Sequence, residues 1–328
     1  MRRLAIALGT MMLAATPAAA QQTYNLTLAG ASPGGFWALI HAGVNKAFAE
    51  QFPGSVITYR TTGGGFANIP MVSQQRVDLG LAHDGEIKAA LDGTDPYKQP
   101  IKNLRAIAVV YDNVPACQLF LTKAFAEKHG ITTFADFAAK KPPLRVAVNR
   151  RGNVVHNACA VMFQEIGVKF EDIKAWGGNV EYAGSSEAFD LLSDGRVDMV
   201  AGGDGAAPGR RVLEVSRTVT LVLLPAGKDI VERAGKRLGM RAAVIKGGTY
   251  AFQPEDVWSV WLGAAIVVNE GTSDKVAYDL AKAMVEKIEA FKSVHRAFKG
   301  YTPKTISGDF LVPYHPGAER YFKEAGLR

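Results

Sequence analysis

The chain has 328 residues, with 38 Lys and Arg against 31 Asp and Glu, a formal net charge of +7. The basic residues are scattered among acidic ones and form no tract or aromatic-interleaved stripe, so no nucleic acid partner is expected. A mildly basic surface instead favours small anionic ligands.

Arg2 and Arg3 precede a short apolar stretch over residues 4–13, and Ala18-Ala19-Ala20 supplies a small-residue cleavage site. This is the pattern of a cleaved export signal, expected to span residues 1–20 and to be cut after Ala20. The apolar stretch is shorter than the ~20 residues a bilayer span needs. No lipid-attachment cysteine follows it, so a free, soluble, periplasmic protein is expected. Cleavage would leave 308 residues (328 less 20) with a net charge of +5 (+7 less Arg2 and Arg3). In an oxidising compartment Cys117 and Cys159 are free to pair. Two cysteines make no disulfide framework, however, and these fall on different expected elements. Two separate buried thiols are the preferred reading.

Beyond the signal, short β-like runs alternate with helical stretches. Residues 24–29 read as a strand and 29–35 as a Gly-rich loop. The segment 36–51 carries Phe36, Trp37, Ile40, Val44, Ala47 and Phe48 at helical spacing, and Pro53-Gly54 stops it. Residues 55–60 are β-rich, 63–65 form a loop, 68–73 a helix and 77–82 a strand. This βαβαβ order predicts an α/β fold with a parallel sheet covered by helices.

The order returns 120 residues further on. Residues 146–149 match 26–29, the loop 150–153 matches 30–33, Gly184-Ser185 matches Gly64-Gly65, and Arg196-Val197-Asp198-Met199 matches Arg76-Val77-Asp78-Leu79. Two similar lobes follow. Residues 112–122, with Pro115 and then an apolar run, read as a strand crossing to the second lobe. A further strand is expected at 218–225. The apolar run 262–269 reads as the return, and an amphipathic helix over 274–291 completes the first lobe. The expected division is 21–114 with 262–328 as lobe 1 and 115–261 as lobe 2, joined by two hinge strands that enclose a cleft.

Ligands of open parallel sheets bind beyond the carboxyl ends of the strands, where helix N-termini point. Four strand-to-helix loops are expected there: 30–35, 61–66, 149–154 and 183–186. They nominate Ala31, Ser32, Phe36, Thr62, Gly63, Gly64, Gly65, Phe66, Asn149, Arg150, Asn153, Val154 and Ser185 as ligand-binding residues. Backbone N–H groups in such loops can approach an anion closely, and a guanidinium such as Arg150 can grip a carboxylate with two N–H groups. Arg151 has the weaker claim. His83 and Asp84 end the strand 77–82, and at least one of them is expected to touch the ligand.

Gly30-Ala31-Ser32-Pro33-Gly34 has the G-x-S-x-G spacing of a nucleophile elbow. The residue after the nucleophile would be Pro33, which has no N–H for an oxyanion hole. No HExxH, C-x-x-C or Walker A sequence is present. The expectation is therefore a binding protein and not an enzyme, with no catalytic residue, metal or cofactor. A sensing module for a signalling partner and an extracytoplasmic enzyme with a dispersed site are the alternatives.

Residues 312–322, Val-Pro-Tyr-His-Pro-Gly-Ala-Glu-Arg-Tyr-Phe, resemble the C-terminal segment of the TAXI family of solute-binding proteins. Thr62-Gly63-Gly64 with Asn68, Val77-Asp78-Leu79-Gly80, and Gly247 to Tyr250 with Glu255-Asp256-Val257 resemble further motifs of that family. The resemblance implies a periplasmic-binding-protein fold, closure on a glutamate-like amino acid or a di- or oxo-carboxylate, and delivery to the membrane subunit of a TRAP transporter. A monomer is expected. The chain departs from the family pattern at His83-Asp84-Gly85, at residues 149–154, and at Gly65, where the family has serine.

Overall fold

The computed structural model describes residues 22–31, 33, 36–203, 205, 207–295 and 298–328. The expected signal segment and Ser32 lie outside the described residues. In chain order the elements are β1 (Asn25–Ala29), α1 (Phe36–Gln51), β2 (Val56–Arg60), α2 (Gly65–Ser73), β3 (Leu79–His83), α3 (Asp84–Asp92), β4 (Leu104–Pro115), β5 (Gln118–Thr122), α4 (Lys123–His129), α5 (Asp136–Lys140), β6 (Arg145–Val148) and α6 (Val154–Glu165). They continue as α7 (Phe170–Ala175), β7 (Asn179–Tyr182), α8 (Ser185–Ser193), β8 (Met199–Gly202), α9 (Arg210–Val215), β9 (Leu221–Leu223), α10 (Lys228–Leu238), β10 (Arg241–Ile245), β11 (Val257–Asn269), α11 (Asp274–Glu286), α12 (Ile288–Ser293), α13 (Pro303–Ile306) and α14 (Pro316–Glu324).

The strands form two sheets. One runs β10-β11-β3-β1-β2, with β4 also paired to β11; the other runs β7-β6-β8-β5-β9. In each, a first strand lies between two parallel neighbours: β1 between β2 and β3, β6 between β7 and β8. Antiparallel strands, β11 in one sheet and β5 in the other, then extend the parallel core. The result is a mixed α/β fold of periplasmic-binding-protein type with two lobes.

The internal repeat is real, with one adjustment. Helices α2 and α8 start at Gly65 and Ser185, and strands β3 and β8 at Leu79 and Met199, both 120 apart. The first strands are two residues out of step: Leu28 pairs with Leu79, whereas Val146 pairs with Met199, an offset of 118 from 28 to 146. The repeated Arg-Val-Asp has a structural purpose in both lobes. Asp78 accepts from the backbone N–H of Thr27 at 2.7 Å, and Asp198 from that of Arg145 at 3.1 Å. Each aspartate straps the start of one strand to the start of its parallel neighbour.

The long strands β4 and β11 run side by side, from Leu104 opposite Asn269 to Val114 opposite Leu262. The N-terminal part of β11 continues past this pairing and takes β10 as its partner. Beyond β4, Ala116 N–H donates to Val260 O at 2.8 Å, and Ser259 Oγ donates to Cys117 O at 2.8 Å. Two adjacent chain segments thus connect the sheets. Strand β9 is shorter than the expected 218–225. The expected helix 274–291 breaks at Lys287, where ψ turns to +32°, and resumes as α12.

Cys117 and Cys159 are bonded, which corrects the expectation of separate thiols. Cys117, just before β5, and Cys159, within α6, have Cα atoms 5.2 Å apart, within bridging range. The C-terminal motif is also structural. Ala106 donates to Pro313 O and His315 N–H to Ala106 O, both at 2.9 Å, which zips the motif to β4. A side chain at Gly317 would collide with the backbone of Asp274, so glycine there lets α14 pack tightly on the start of α11. Among the described residues no helix is long and apolar enough to cross a membrane.

Candidate ligand site between the lobes

The carboxyl ends of β3 and β6 come together. A methyl group placed on Gly85 would lie 2.6 Å from Met240 Cε and 3.4 Å from Val154 Cγ2. Gly85 begins α3 in the first lobe, and Val154 begins α6 in the second. The strand-end loops of both lobes therefore border one space beside the hinge.

In the first lobe most of the nominated loop atoms are already engaged. Ala31 N–H donates to Tyr59 Oη at 2.7 Å, so it is not the open anion donor that loop chemistry alone implies. Thr62 Oγ1 lies 2.6 Å from Gly30 O and from Asn68 Oδ1. Asn68, fully buried, donates from Nδ2 to Gly30 O and Leu81 O, each at 2.8 Å. The Thr-Gly-Gly…Asn motif thus ties β1, β3 and α2 together beneath the loop. Gly64 caps α2 with φ of +100°, a conformation that favours glycine. Gly63 has space around its α-carbon. Phe66 O accepts from Tyr97 Oη at 3.1 Å.

His83 is the centre of a chain of polar contacts. Its Nδ1 lies 3.0 Å from Glu86 Oε2, which also accepts from the backbone N–H of His83 at 2.8 Å. Its Nε2 lies 2.8 Å from Tyr111 Oη, which in turn accepts from Trp37 Nε1 at 2.9 Å. Burial pushes the Tyr111 phenol well above its ordinary range. Phe36, 37% exposed, lays its ring 5.7 Å from that of Tyr111 and 5.5 Å from that of Phe298. This side of the cleft is therefore aromatic, with His83 and Tyr111 as its polar atoms. Glu86, Tyr111 and Trp37 were not nominated from the sequence. The i, i+3 spacing of His83 and Glu86 was the one local signal available for any of them.

Asp84 turns away from this chain toward the hinge. Its Oδ2 accepts from Gly263 N–H in β11 at 2.8 Å, and its Oδ1 from Gly85 N–H at 2.9 Å. Desolvation outweighs these bonds and the charge of neighbouring His83, and pushes its carboxyl up to about 7.

In the second lobe Asn149 Nδ2 donates to Ser185 Oγ at 3.1 Å, while Asn149 Oδ1 accepts from Arg150 N–H. Asn153 caps α6 by accepting from Val155 N–H at 2.8 Å. The Arg150 guanidinium lies against Gly184, 3.5 Å from Glu187, with 72% of its side chain exposed. Arg151 instead stacks on Tyr182, 4.1 Å from the ring centre. Asn149, Ser185 and Gly203 are among the residues that border a cavity of about 10 Å³, space for roughly one water. A larger groove of about 470 Å³ lies between α4, β9 and residues 252–257, and none of the nominated residues lines it. Among the described residues no group of three or more His, Cys, Asp or Glu is placed to hold a metal ion.

These features define a two-lobed α/β fold whose strand-end loops meet beside the connecting segments, and its family follows. Residues 28–326 match the NMT1-like family, and the chain belongs to that family. The fold is similar to that of MatC from Rhodopseudomonas palustris, solved with bound malate, at 16% identity over 84% of this chain and 88% of that one, TM-score 0.52. It is similar to a TctC solute-binding protein from Polaromonas at 15% identity over 93% and 96%, TM-score 0.53. It is also similar to an R. palustris protein solved with adipate, at 16% identity over 93% and 94%, TM-score 0.51.

Proposed function

We propose that this protein is an extracytoplasmic receptor that closes on a small organic anion, a glutamate-like amino acid or a di- or oxo-carboxylate, and delivers it to the membrane subunit of a TRAP-type transporter. The observation that carries the reading is the meeting of β3 and β6 ends at Gly85 and Val154 beside the hinge, with Arg150 exposed at the second lobe's loop. A two-segment hinge lets such loops close on a ligand, and a guanidinium beside helix N-termini suits a carboxylate. The malate and adipate found in proteins of similar fold accord with this ligand class. The Cys117–Cys159 bridge accords with export to an oxidising compartment. The TAXI-like C-terminal segment supports the TRAP assignment, and binding without turnover is the expected behaviour.

A thermal-shift screen of amino acids and carboxylates tests this. A ligand at 100 times its Kd adds about 2.7 kcal/mol of stability, a readily measured shift. Silence across the whole panel of organic anions would reject the reading.

A further inference from the structure

Among the described residues, two buried hydrogen-bond donors beside the hinge lack an acceptor. Gln118, the first residue of β5, is 1% exposed. Its Oε1 accepts from Tyr250 Oη at 2.8 Å, but its Nε2 makes no hydrogen bond. Trp261, on β11, has a buried indole N–H that likewise makes none. The two residues lie on adjacent segments, joined by the Ala116–Val260 and Ser259–Cys117 hydrogen bonds. Trp261 packs against the cluster that contains Tyr250, whose hydroxyl donates to Gln118.

Two neighbours give these donors a direction and a charge. A methyl group on Gly203 would lie 2.6 Å from Gln118 Nε2. Gly203 follows β8 and lines the small cavity with Asn149 and Ser185, so the amide abuts the strand-end space of the second lobe. Arg241 stands directly opposite Trp261 in the β10–β11 register, and its guanidinium is 5.9 Å from the indole centre. One of its N–H groups is held by Asp112 O at 2.7 Å. Gln118 Nε2, Trp261 Nε1 and the Arg241 guanidinium are all donors.

A buried donor without a partner destabilises a protein. A binding protein keeps such a group where a ligand completes the bond. We propose that Gln118 and Trp261, with Arg241 beside them, form the oxygen-accepting end of the cleft and bind a carboxylate oxygen of the ligand when the lobes close. This rests on the carboxylate-receptor reading above and adds residues to it.

The test titrates succinate, L-glutamate and 2-oxoglutarate calorimetrically into the full mature protein and into its Gln118→Leu, Gln118→Glu and Trp261→Phe variants. For an acid that the wild type binds, Gln118→Leu and Trp261→Phe should each weaken binding about tenfold or more. Gln118→Glu, which replaces a donor with acceptors, should weaken it further. Wild-type affinity in the variants would overturn the assignment while leaving the receptor reading intact. A wild type that binds none of the three acids, nor any other acid of the thermal-shift panel, overturns the carboxylate reading and this assignment with it.

Discussion

Asp84 and Gly263 join the end of a parallel strand to the hinge. Asp84 opens α3 directly after β3, and its carboxylate accepts the Gly263 N–H at 2.8 Å. Gly263 sits where the β11–β4 register shifts, between Leu262 and Ala264. That irregularity turns the Gly263 N–H toward a side chain. The proposed ligand loop of the first lobe is thus bonded to a strand that connects the lobes.

Burial of the Asp84 carboxyl makes stability depend on pH in a defined window. The Asp84 carboxyl ionises at an ordinary 3.8 when unfolded and at about 7 when folded, chiefly through desolvation. Between those values the folded state holds the extra proton, so this group's contribution falls as pH rises through the window. Above about 7 the penalty is complete, on the order of a few kcal/mol. Asp84→Asn removes the titration. Urea unfolding at pH 5 and pH 8 should show the wild type losing more stability than the variant across that interval. Parallel losses would show that Asp84 does not titrate there.

The Cys117–Cys159 bridge closes a loop with a sequence separation of 42 and ties the inter-sheet crossing to α6. Cys117→Ser with Cys159→Ser should lower unfolding stability by about 2–4 kcal/mol. Reductant should destabilise the wild type and leave the double variant unchanged. Chemical denaturation with and without dithiothreitol checks both statements.

The legibility of the chain divides along sequence distance. The βαβ order, the repeat and the crossing segments rest on local periodicity, and the span of α1, Phe36–Gln51, matches the expected helix at both ends. The loop positions were likewise readable from Gly-rich punctuation. What those loops do was not. Ala31 N–H is taken by Tyr59, 28 residues away, and Trp37 bonds Tyr111 across 74 residues. The pairing of Cys117 with Cys159 joins the residue just before β5 to α6 across a sequence separation of 42. Arg150 and Arg151 are adjacent, yet one lies by Gly184 and the other on Tyr182. Tertiary partners decide each of these, and no local pattern encodes them.

Gly65 stands where the resembling family has serine, and Glu86 gives the reason. A Cβ at Gly65 would overlap Glu86 Oε2. That oxygen is held by both the ring and the backbone N–H of His83, so it cannot swing aside without breaking those bonds. Gly65→Ser should therefore cost about 1–3 kcal/mol, as an overpacked buried site does. Glu86→Ala added to Gly65→Ser should recover part of the loss. A double-mutant cycle by thermal denaturation measures the coupling, and strictly additive losses would refute the contact.

The two loop arginines should separate binding from folding. Arg150 is mostly exposed, and its ion pair with Glu187 spans 3.5 Å between exposed groups. Such a pair adds little stability, so Arg150→Ala should leave the thermal midpoint nearly unchanged. If Arg150 grips the ligand anion, the same change should weaken binding about tenfold or more, the worth of one charge-assisted contact. Arg151 is stacked on Tyr182 and serves as the comparison. Arg151→Ala should alter affinity much less. Titration of both variants with an acid that the wild type binds decides the matter. Equal affinity in wild type and Arg150→Ala would remove Arg150 from the site, and a larger loss at Arg151 would move the anion contact to that residue.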